Sequence, residues 1–358
     1  MKKKIGFFNI YKIWGGGERW HFEMALYLKS LGHKVIIFTP ENGKLGQNAI
    51  NAGIEVFDIK WSKYSYFNLV RILFLAKNLR GLGLDTLIFN SFLDVREAGI
   101  SSWLSGIPKK VLRIGNPYPP KRKVFLKLSF LLGLDVINFI SREVFNVYNN
   151  IIPDYINDKE HYFFTNGVDT NMFSPNGEAY LKNKIVIGNC ARLSSEKGFR
   201  YFLEVAANFK NDKNIKFLIG GSGDEEDALK RYASDLSISD RVEFVGFVEK
   251  PNDFYRKLDI LLFTSEYEGT ARTILECFST GVPVVCFDIS SMKELVSHGV
   301  DGLKSEPFDI FEMTKNLKQL ISDASLRQDL GLNGIKKVND NYQLDKVRSK
   351  WLELILSE

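Results

Sequence analysis

The chain has 358 residues, too many for one ordinary domain and enough for two that each bury a core. Its composition is globular, with 45% hydrophobic and 25% charged residues. The net charge of +5 is unevenly distributed: the first 165 residues carry 23 Lys and Arg against 13 Asp and Glu, and the remainder carries 25 against 30. The first part is therefore the one expected to face an anionic partner.

Several classes of protein are excluded at this level. The longest apolar stretch, residues 124–140, is interrupted by Lys127 and Asp135, so we expect no transmembrane span, and the N-terminus predicts no signal peptide. Nucleic acid is not an expected partner, because the sequence has no basic stripe interleaved with aromatics and no nucleic-acid-binding motif. Three cysteines without metal-ligand spacing suit a reducing compartment, so the predicted location is the cytoplasm.

Apolar strand patterns alternate with helical patterns in the first half. A predicted strand at residues 3–9 is followed by Gly15, Gly16 and Gly17 and then by a helix at 18–31, which is how a nucleotide-binding α/β unit opens. Gly16 and Gly17 would let a ligand approach the backbone closely, and a flexible turn is the alternative. Further strands at 35–39, 54–57, 86–90, 110–114 and 136–140, with helices at 67–80 and 95–104, predict a parallel sheet wrapped by helices.

Residues 121–133, from Lys121 to Gly133, form a helical pattern with a basic start and a long apolar side. Such a helix can lie on an anionic membrane surface with its cations near the headgroups and Phe125, Leu128 and Leu132 inserted. The alternative is an ordinary helix docked on the sheet. Residues 60–67, rich in aromatic and basic side chains, are either part of the same surface or a simple loop.

A second strand and helix series follows a polar segment. We predict a first domain at 1–165, a linker at 166–184, a second domain at 185–340 and a terminal amphipathic helix within 341–358. Predicted strands at 184–189, 216–219, 242–245, 259–264 and 284–287 alternate with helices. Two α/β domains in tandem predict a cleft lined by the loops that follow their strands.

The segment 265–283, S-E-Y-E-G-T-A-R-T-I-L-E-C-F-S-T-G-V-P, follows a short buried strand. Glu268 falls in the loop beyond the carboxyl end of that strand, where α/β sheets bind ligands, and Glu276 lies in the next helix. Backbone amides near Gly269 and Ala271 would favour an anion at the start of that helix. The alternative is a turn with two solvated glutamates.

Other features are compatible with a phosphate-bearing ligand. Arg192 and Lys197 follow the first strand of the second domain and could hold a diphosphate, although either could be an ordinary surface cation. The glycine-rich loop around Gly221 ends another strand, and Val248 follows a third, but neither pattern is specific alone.

Taken together, the motifs resemble the retaining glycosyltransferases of the GT-B fold, family 4, also called glycosyl transferases group 1. The resemblance covers essentially the whole chain. The motifs, in chain order, are G-G-G-E-R, L-G-H-K-V, N-G-V-D at 166–169, A-R-L-S-S-E-K-G-F at 191–199, G-G-S-G-D at 220–224, V-G-F-V at 245–248 and E-G-T-A-R-T-I-L-E followed by T-G-V-P-V-V.

This resemblance implies two Rossmann-like domains facing a cleft and a C-terminal helix that crosses back to the first domain. It implies that Arg192 and Lys197 stabilise the diphosphate, Glu268 contacts the transferred sugar and Glu276 accepts from the ribose hydroxyls. The predicted donor-binding residues are Gly16, Gly17, Gly221, Val248, Gly269, Thr270, Ala271, Arg272, Thr273 and Glu276.

The sequence departs from the family pattern at two places. Many relatives carry a histidine facing the donor sugar after the fifth strand, whereas this chain has R-I-G-N-P, which makes Arg113 and Asn116 the acceptor-side candidates. Thr270, Ala271 and Arg272 replace a more common aromatic, glycine and aliphatic run, so the sugar is not specified.

The prediction is a cytoplasmic, metal-independent, retaining hexosyltransferase without a cofactor, since no D-x-D pair lies in a suitable loop. Its donor would be a UDP- or GDP-sugar and its acceptor a lipid-linked or surface-polysaccharide precursor. A peripheral position at the inner face of the plasma membrane, through residues 121–133, would bring it to such an acceptor. A nucleotide-sugar 2-epimerase of the same fold and a non-catalytic nucleotide-sugar-binding module are the alternatives.

Overall fold

The structure is a computed structural model, and it describes residues 2–60, 67–175 and 184–357. The chain divides into two compact units. Unit 1 comprises residues 1–165 together with 348–358, and unit 2 comprises 166–347. Most of the aromatic and basic segment predicted at 60–67, and most of the polar segment at 175–184, lies outside the described residues.

Unit 1 is built on a parallel sheet of seven strands. The strands are β1 (Lys4–Phe8), β2 (Lys34–Thr39), β3 (Glu55–Asp58), β4 (Thr86–Phe89), β5 (Lys109–Ile114), β6 (Val136–Phe139) and β7 (Glu160–Tyr162). Their order is β3-β2-β1-β4-β5-β6-β7, so the direction of winding reverses between β1 and β4. The central strands β4 and β6 are buried along their whole length because helices cover both faces of the sheet.

Seven helices connect these strands among the described residues of unit 1. They are α1 (Gly16–Ser30), α2 (Lys44–Asn51), α3 (Leu69–Leu82), α4 (Phe92–Ser105), α5 (Val124–Gly133), α6 (Arg142–Ile151) and α7 (Pro153–Ile156). Helices α3, α4 and α6 are capped by the residues just before them, Asn68, Ser91 and Ser141, whose side chains accept hydrogen bonds from backbone amides of the first turn. The capping residues therefore fix the position at which each of these three helices starts.

The sheet of unit 2 has six parallel strands. They are β8 (Ile185–Cys190), β9 (Ile215–Gly220), β10 (Val242–Gly246), β11 (Ile260–Phe263), β12 (Val284–Phe287) and β13 (Gly302–Ser305). The order is β10-β9-β8-β11-β12-β13, and here the winding reverses between β8 and β11. Both sheets therefore have the doubly wound arrangement, in which ligands bind beyond the carboxyl ends of the two strands at the reversal.

The helices of unit 2 pack on both faces of its sheet. They are α8 (Phe199–Ala207), α9 (Glu226–Asp235), α10 (Pro251–Tyr255), α11 (Arg272–Ser279), α12 (Met292–Leu295), α13 (Ile310–Ser322) and α14 (Ala324–Lys337). Two buried clusters of apolar side chains lie in this unit, one including Phe202 and Phe217 and the other including Phe263 and Phe278.

The last helix, α15 (Leu344–Leu356), starts in unit 2 and ends in unit 1. Trp351 is fully buried in unit 1, with its ring centroid 4.6 Å from that of Trp20 and 5.7 Å from that of Phe164. The last carbonyls of the helix accept hydrogen bonds from unit 1: Thr86 Oγ1 donates to Ile355 O at 2.9 Å and Lys3 Nζ to Leu356 O at 2.8 Å. These side chains satisfy carbonyls that a helix end leaves without partners.

The predicted fold class, two α/β domains with parallel sheets, is confirmed. Strand β13 and the short strand β7 were not among the predicted strands, and α1 begins at Gly16 rather than near residue 18. The segment from residue 166 belongs to unit 2, because Val168 pairs with Gln343 there, and only residues 348–358 of the predicted C-terminal segment belong to unit 1.

Candidate functional site

The candidate site of unit 2 lies at the reversal between β8 and β11. Lys197 follows β8 and Glu268 follows β11, so the topology brings to one sheet edge two residues that are 71 positions apart in sequence. Two backbone contacts join the loops that carry them: Gly198, at φ +62°, lies directly against the carbonyl of Thr264, and Glu266 N–H donates to Glu196 O at 3.0 Å. A side chain at position 198 would collide with that carbonyl, so the close approach requires glycine.

Lys197 and Glu268 form an ion pair at this edge. Lys197 Nζ donates to Glu268 Oε1 at 2.7 Å, and Ser265 Oγ donates to the same oxygen at 3.1 Å. The two side chains are 20% and 15% exposed, which leaves each accessible on one side. The pair thus holds a cation and a carboxylate in fixed positions at the place where α/β sheets bind ligands.

Ser290, in the loop after β12, holds the backbone of Glu268. Its Oγ accepts from Glu268 N–H at 3.2 Å and donates to Glu268 O at 2.7 Å. Ser290 has φ +55°, a left-handed conformation that is uncommon for a residue other than glycine. The sequence interpretation did not include Ser290, and the only available signal was its position shortly after a strand.

Arg192 also follows β8, and it points toward solvent. Its side chain is 72% exposed, and Nη2 donates to Glu196 Oε1 at 2.9 Å. Burial tends to raise the pKa of Glu196, but hydrogen bonds from Ser194 and Arg192 outweigh burial and lower it to about 2. Glu196 is therefore ionised at neutral pH and orients Arg192 at the edge of the site.

Helix α11 brings further predicted donor-binding residues to the end of β8. Ala271 is buried at the start of the helix, and Thr273 Oγ1 donates to Cys190 O at 3.4 Å. Arg272 Nε donates to Glu276 Oε1 at 2.7 Å along the helix, and Glu276 is only 7% exposed. Burial and the nearby charge of Glu276 raise the pKa of the Cys190 thiol to about 12, so that thiol stays protonated at neutral pH.

The remaining predicted residues of unit 2 lie on neighbouring loops. Gly269 and Thr270 are half-buried in the loop between Glu268 and α11. Gly221 has φ +121° and lies against the carbonyl of Ala191, so its lack of a side chain lets the loops after β8 and β9 meet. Val248 is half-buried and packs toward the end of β9. The ligand roles predicted for these residues stay predictions.

Unit 1 places Gly16 and Gly17 in the first turn of α1, beyond the end of β1. A Cβ at Gly17 would collide with the side chain of Asn90, whereas Gly16 has open space beside it. Glu18 already lies at this helix N-terminus, where its carboxylate accepts from Gly15 N–H at 3.0 Å and from Asn9 Nδ2 at 3.1 Å. The chain therefore supplies its own negative charge to the positive end of the helix.

Arg113 and Asn116 occupy contrasting environments in unit 1. Arg113 is 3% exposed; its Nη1 donates to Asn90 Oδ1 at 3.2 Å, and its guanidinium carbon lies 4.8 Å from the centre of the Trp20 ring. Burial lowers the pKa of Arg113 to about 10, against the opposing effect of the Glu18 carboxylate. Asn116 is exposed, and its Oδ1 accepts from the backbone amide of Tyr118. Their predicted contact with an acceptor stays a prediction.

The described part of the chain contains no group of three or more His, Cys, Asp or Glu side chains arranged to hold a metal ion. None of its helices has the length and apolar character needed to cross a bilayer.

Residues 174–337 match the family glycosyl transferases group 1. An uncharacterized glycosyltransferase of Haemophilus influenzae is 32% identical over 184 residues, which are 50% of this chain and 51% of that protein. The lipopolysaccharide core biosynthesis glycosyltransferase LpsE of Rhizobium meliloti is 26% identical over 173 residues, 48% of this chain and 50% of that protein. The matches thus span about half the length of these curated relatives.

The fold has close counterparts among solved structures. HepE of Anabaena, solved in complex with UDP, superimposes with a TM-score of 0.84 over 99% of this chain and 100% of that one, at 18% identity. At this identity the similarity concerns the fold alone. Residues 174–337 therefore match the glycosyl transferases group 1 family, and the chain has the GT-B fold.

Proposed function

We propose that the protein is a glycosyltransferase that moves a hexose-type sugar from a UDP- or GDP-sugar to a lipid-linked or surface-polysaccharide acceptor. The observation that carries this proposal is the Lys197–Glu268 pair at the reversal between β8 and β11. A cation there can face the diphosphate of a donor, and the adjacent carboxylate can face its sugar. The UDP bound in HepE and the role of LpsE in lipopolysaccharide core biosynthesis support these classes of donor and acceptor.

The chemistry follows from charge. Breaking the bond between the sugar and the diphosphate builds negative charge on the leaving oxygen and positive character on the sugar ring. Lys197, held in place by Glu268, and Arg192, oriented by Glu196, would stabilise the departing diphosphate. The carboxylate of Glu268 would lie beside the sugar as positive character develops.

Glu276 would bind the ribose of the donor. Its Oε1 accepts from Arg272, and a carboxylate has several further acceptor positions for the ribose hydroxyls. The first turn of α11, from Arg272 to Thr273, would lie near the phosphates, because backbone amides at a helix N-terminus favour anions.

We further propose that the reaction needs no metal ion and retains the anomeric configuration. Arg192 and Lys197 supply positive charge where a divalent ion would otherwise neutralise the diphosphate. Unchanged turnover in EDTA is the expected result, and loss of turnover that only added Mg²⁺ or Mn²⁺ restores would contradict it. Retention is tested by NMR of the product anomer, and an inverted product would contradict it.

The acceptor would dock on the basic unit 1, with residues 121–133 at an anionic membrane surface. Within this segment, Leu126 and Phe130 of α5 are buried in the core of unit 1, whereas Val124 is 89% and Leu128 44% exposed. The helix is thus docked on one side, and the exposed side with Val124 and Leu128 is the one that would contact the membrane. Flotation with liposomes containing anionic lipid tests this contact, and no association at low salt would contradict it.

The transferase itself is tested by measuring UDP or GDP release from a panel of nucleotide sugars. A thermal-shift screen first identifies the donor, because a ligand that binds only the folded protein raises its melting temperature. Incubating UDP-N-acetylglucosamine alone and analysing it by chromatography separates a transferase from a 2-epimerase. No shift with any UDP- or GDP-sugar would refute the proposal.

A further inference from the structure

An apolar cavity of about 770 Å³ lies in unit 1, apart from the donor site. It is lined by residues at or just before the starts of α3, α4 and α5 and by the loop after β5. Its walls include the rings of Phe67, Phe92 and Phe125 and the side chain of Leu128, and the centroids of Phe67 and Phe125 are 5.0 Å apart. Its size is that of a small-molecule site, and its walls suit an apolar ligand.

Two lysines contribute positive charge to the lining of this cavity. Lys121 and Lys123 line it and are exposed, and within the described part of the chain neither has a carboxylate within ion-pair distance. Two other cations of the same segment are already paired: Lys127 Nζ lies 2.7 Å and Arg122 Nη2 3.8 Å from Asp154. The uncompensated positive charge is therefore concentrated at the cavity, where it complements an anionic head on an apolar ligand.

The surface beside the cavity is also apolar. Helix α3, which starts two residues after Phe67, exposes Leu69 by 66%, Val70 by 77% and Phe74 by 63%, and Val124 on α5 is 89% exposed. An exposed group of large apolar side chains marks a surface that contacts lipid or another apolar partner. With cations at its margin, this surface favours an amphiphile that reaches the cavity from an anionic lipid layer.

The cavity lies at the carboxyl edge of the sheet of unit 1. Phe92 follows β4, and the loop that carries Tyr118 follows β5 and also contains the acceptor-side candidate Asn116. Tyr118 N–H donates to Asn116 Oδ1 at 3.1 Å, which links that candidate to the cavity wall. A ligand in the cavity would therefore present its head at the edge of the sheet that the proposed function assigns to the acceptor.

We propose that this cavity binds the apolar chain of an acceptor's lipid carrier, with the phosphate of the carrier against Lys121 and Lys123. The inference rests on the proposed function and adds the class of ligand: a single apolar chain carrying a phosphate head. It also explains why α3 and α5 keep large apolar side chains at the surface.

The test is binding of dodecyl phosphate to the full chain, by equilibrium dialysis below the critical micelle concentration. We expect saturable binding of one molecule that equal concentrations of inorganic phosphate do not displace. Leu128→Trp, which occupies part of the cavity, should weaken binding about tenfold, the loss expected when about two CH₂ groups can no longer be buried. The double variant Lys121→Glu/Lys123→Glu should weaken it about tenfold or more, since each cation contributes to holding an anionic head.

The matched control is Lys213→Glu/Lys315→Glu, which makes the same charge change at exposed positions of unit 2 and should leave the affinity within about twofold of wild type. Melting temperatures verify that each variant is folded. Absence of saturable binding, or equal affinity in wild type and both cavity variants, would overturn the inference. Binding of UDP is measured separately by thermal shift, so a protein that binds UDP but not dodecyl phosphate would overturn this inference alone.

Discussion

The first six strands of unit 1 have the same order as the six strands of unit 2. The polar side chains at the two reversal points differ, however, in whether their partners come from within the unit. In unit 1, Asp94 is fully buried and accepts from Ile10 N–H at 2.9 Å, Asn90 N–H at 3.2 Å and Ser91 Oγ at 2.8 Å. This one carboxylate ties together the chain after β1 and the chain after β4. In unit 2, the cations Arg192 and Lys197 reach the corresponding edge and remain accessible.

We interpret this difference as one between a structural arrangement in unit 1 and the proposed ligand site in unit 2. Unit 1 provides its own acceptors, the carboxyl groups of Glu18 and Asp94, for the amides at its reversal point. Unit 2 provides cations whose partners, Glu196 and Glu268, leave them open to a further anion from outside. Strand order thus predicts where a ligand could bind, whereas the side chains determine whether charged groups there remain accessible to a ligand. The following predictions test that distinction.

The largest expected effect is that of Lys197→Ala. Turnover should fall by on the order of 10² to 10³, the loss typical of removing one preorganised charged donor. Initial rates of UDP or GDP release measure it, with Lys213→Ala as the exposed control. A variant within about tenfold of wild type would show that the cation at the reversal of unit 2 does not act on the leaving group.

Removing a carboxylate from each reversal point should give opposite results. Asp94→Ala leaves two buried backbone amides without an acceptor and should lower the free energy of unfolding by about 3 kcal/mol. Glu268→Ala should instead reduce turnover on the order of 10²-fold while destabilising the fold less, because Lys197 retains access to solvent. Urea unfolding and initial rates are measured on both variants. A larger loss of stability in Glu268→Ala than in Asp94→Ala would contradict the structural role of Asp94 and the role of Glu268 in turnover.

Gly198→Ala tests the contact between the loops after β8 and β11. The added methyl group would meet the carbonyl of Thr264, and the left-handed backbone disfavours alanine, so we expect a loss of about 2 kcal/mol in unfolding free energy together with lower turnover. Gly16→Ala, where the structure leaves open space, is the matched variant in unit 1. Equal stability of the two variants would contradict the proposed role of the contact.

The smallest effect concerns His21, which is fully buried in unit 1 beside Phe7 and Trp20. Burial, and then the charge of Arg113, lower the pKa of His21 well below its ordinary value. The unfolded chain therefore binds a proton near pH 6.5 that the folded chain does not, so stability is lost as the pH falls through this value.

His21→Phe removes this titration. The stability of the variant relative to wild type should rise by up to about 1.4 kcal/mol for each pH unit below 6.5. Urea unfolding at pH 8 and pH 5.5 measures the change, and using the difference between two proteins cancels the contributions of other titrating groups. A difference independent of pH would show that His21 does not stay neutral in unit 1.

Much of the candidate site of unit 2 could be predicted from the sequence because its residues lie in loops that follow strands. Lys197 and Glu268 each come within a few residues of an apolar segment, and parallel strands place such residues at one edge. Ser290 could not be predicted in its role, since its interaction with Glu268 depends on a left-handed backbone and on the position of a neighbouring strand.

Unit 1 was harder to predict for related reasons. The partners of Asp94 come from loops after β1 and β4, 84 and 4 residues away in sequence, so no local pattern marks it as a tie between strands. The helical pattern at 67–80 predicted α3 correctly. Periodicity alone did not indicate that Leu69, Val70 and Phe74 would remain exposed, because that depends on which neighbouring elements cover the helix.

The pairing of Val168 with Gln343 has a consequence for synthesis on the ribosome. It holds the entry and exit of unit 2 side by side, so unit 2 is a contiguous insertion within the sequence of unit 1. The strands of unit 1 are translated first, but Trp20 and Phe164 lack their contact with Trp351 until the end of α15 has been made. Domains generally fold as units, so unit 2 can complete its fold before unit 1 does. Unit 1, although it is translated earlier, would then still expose part of its aromatic core to chaperones.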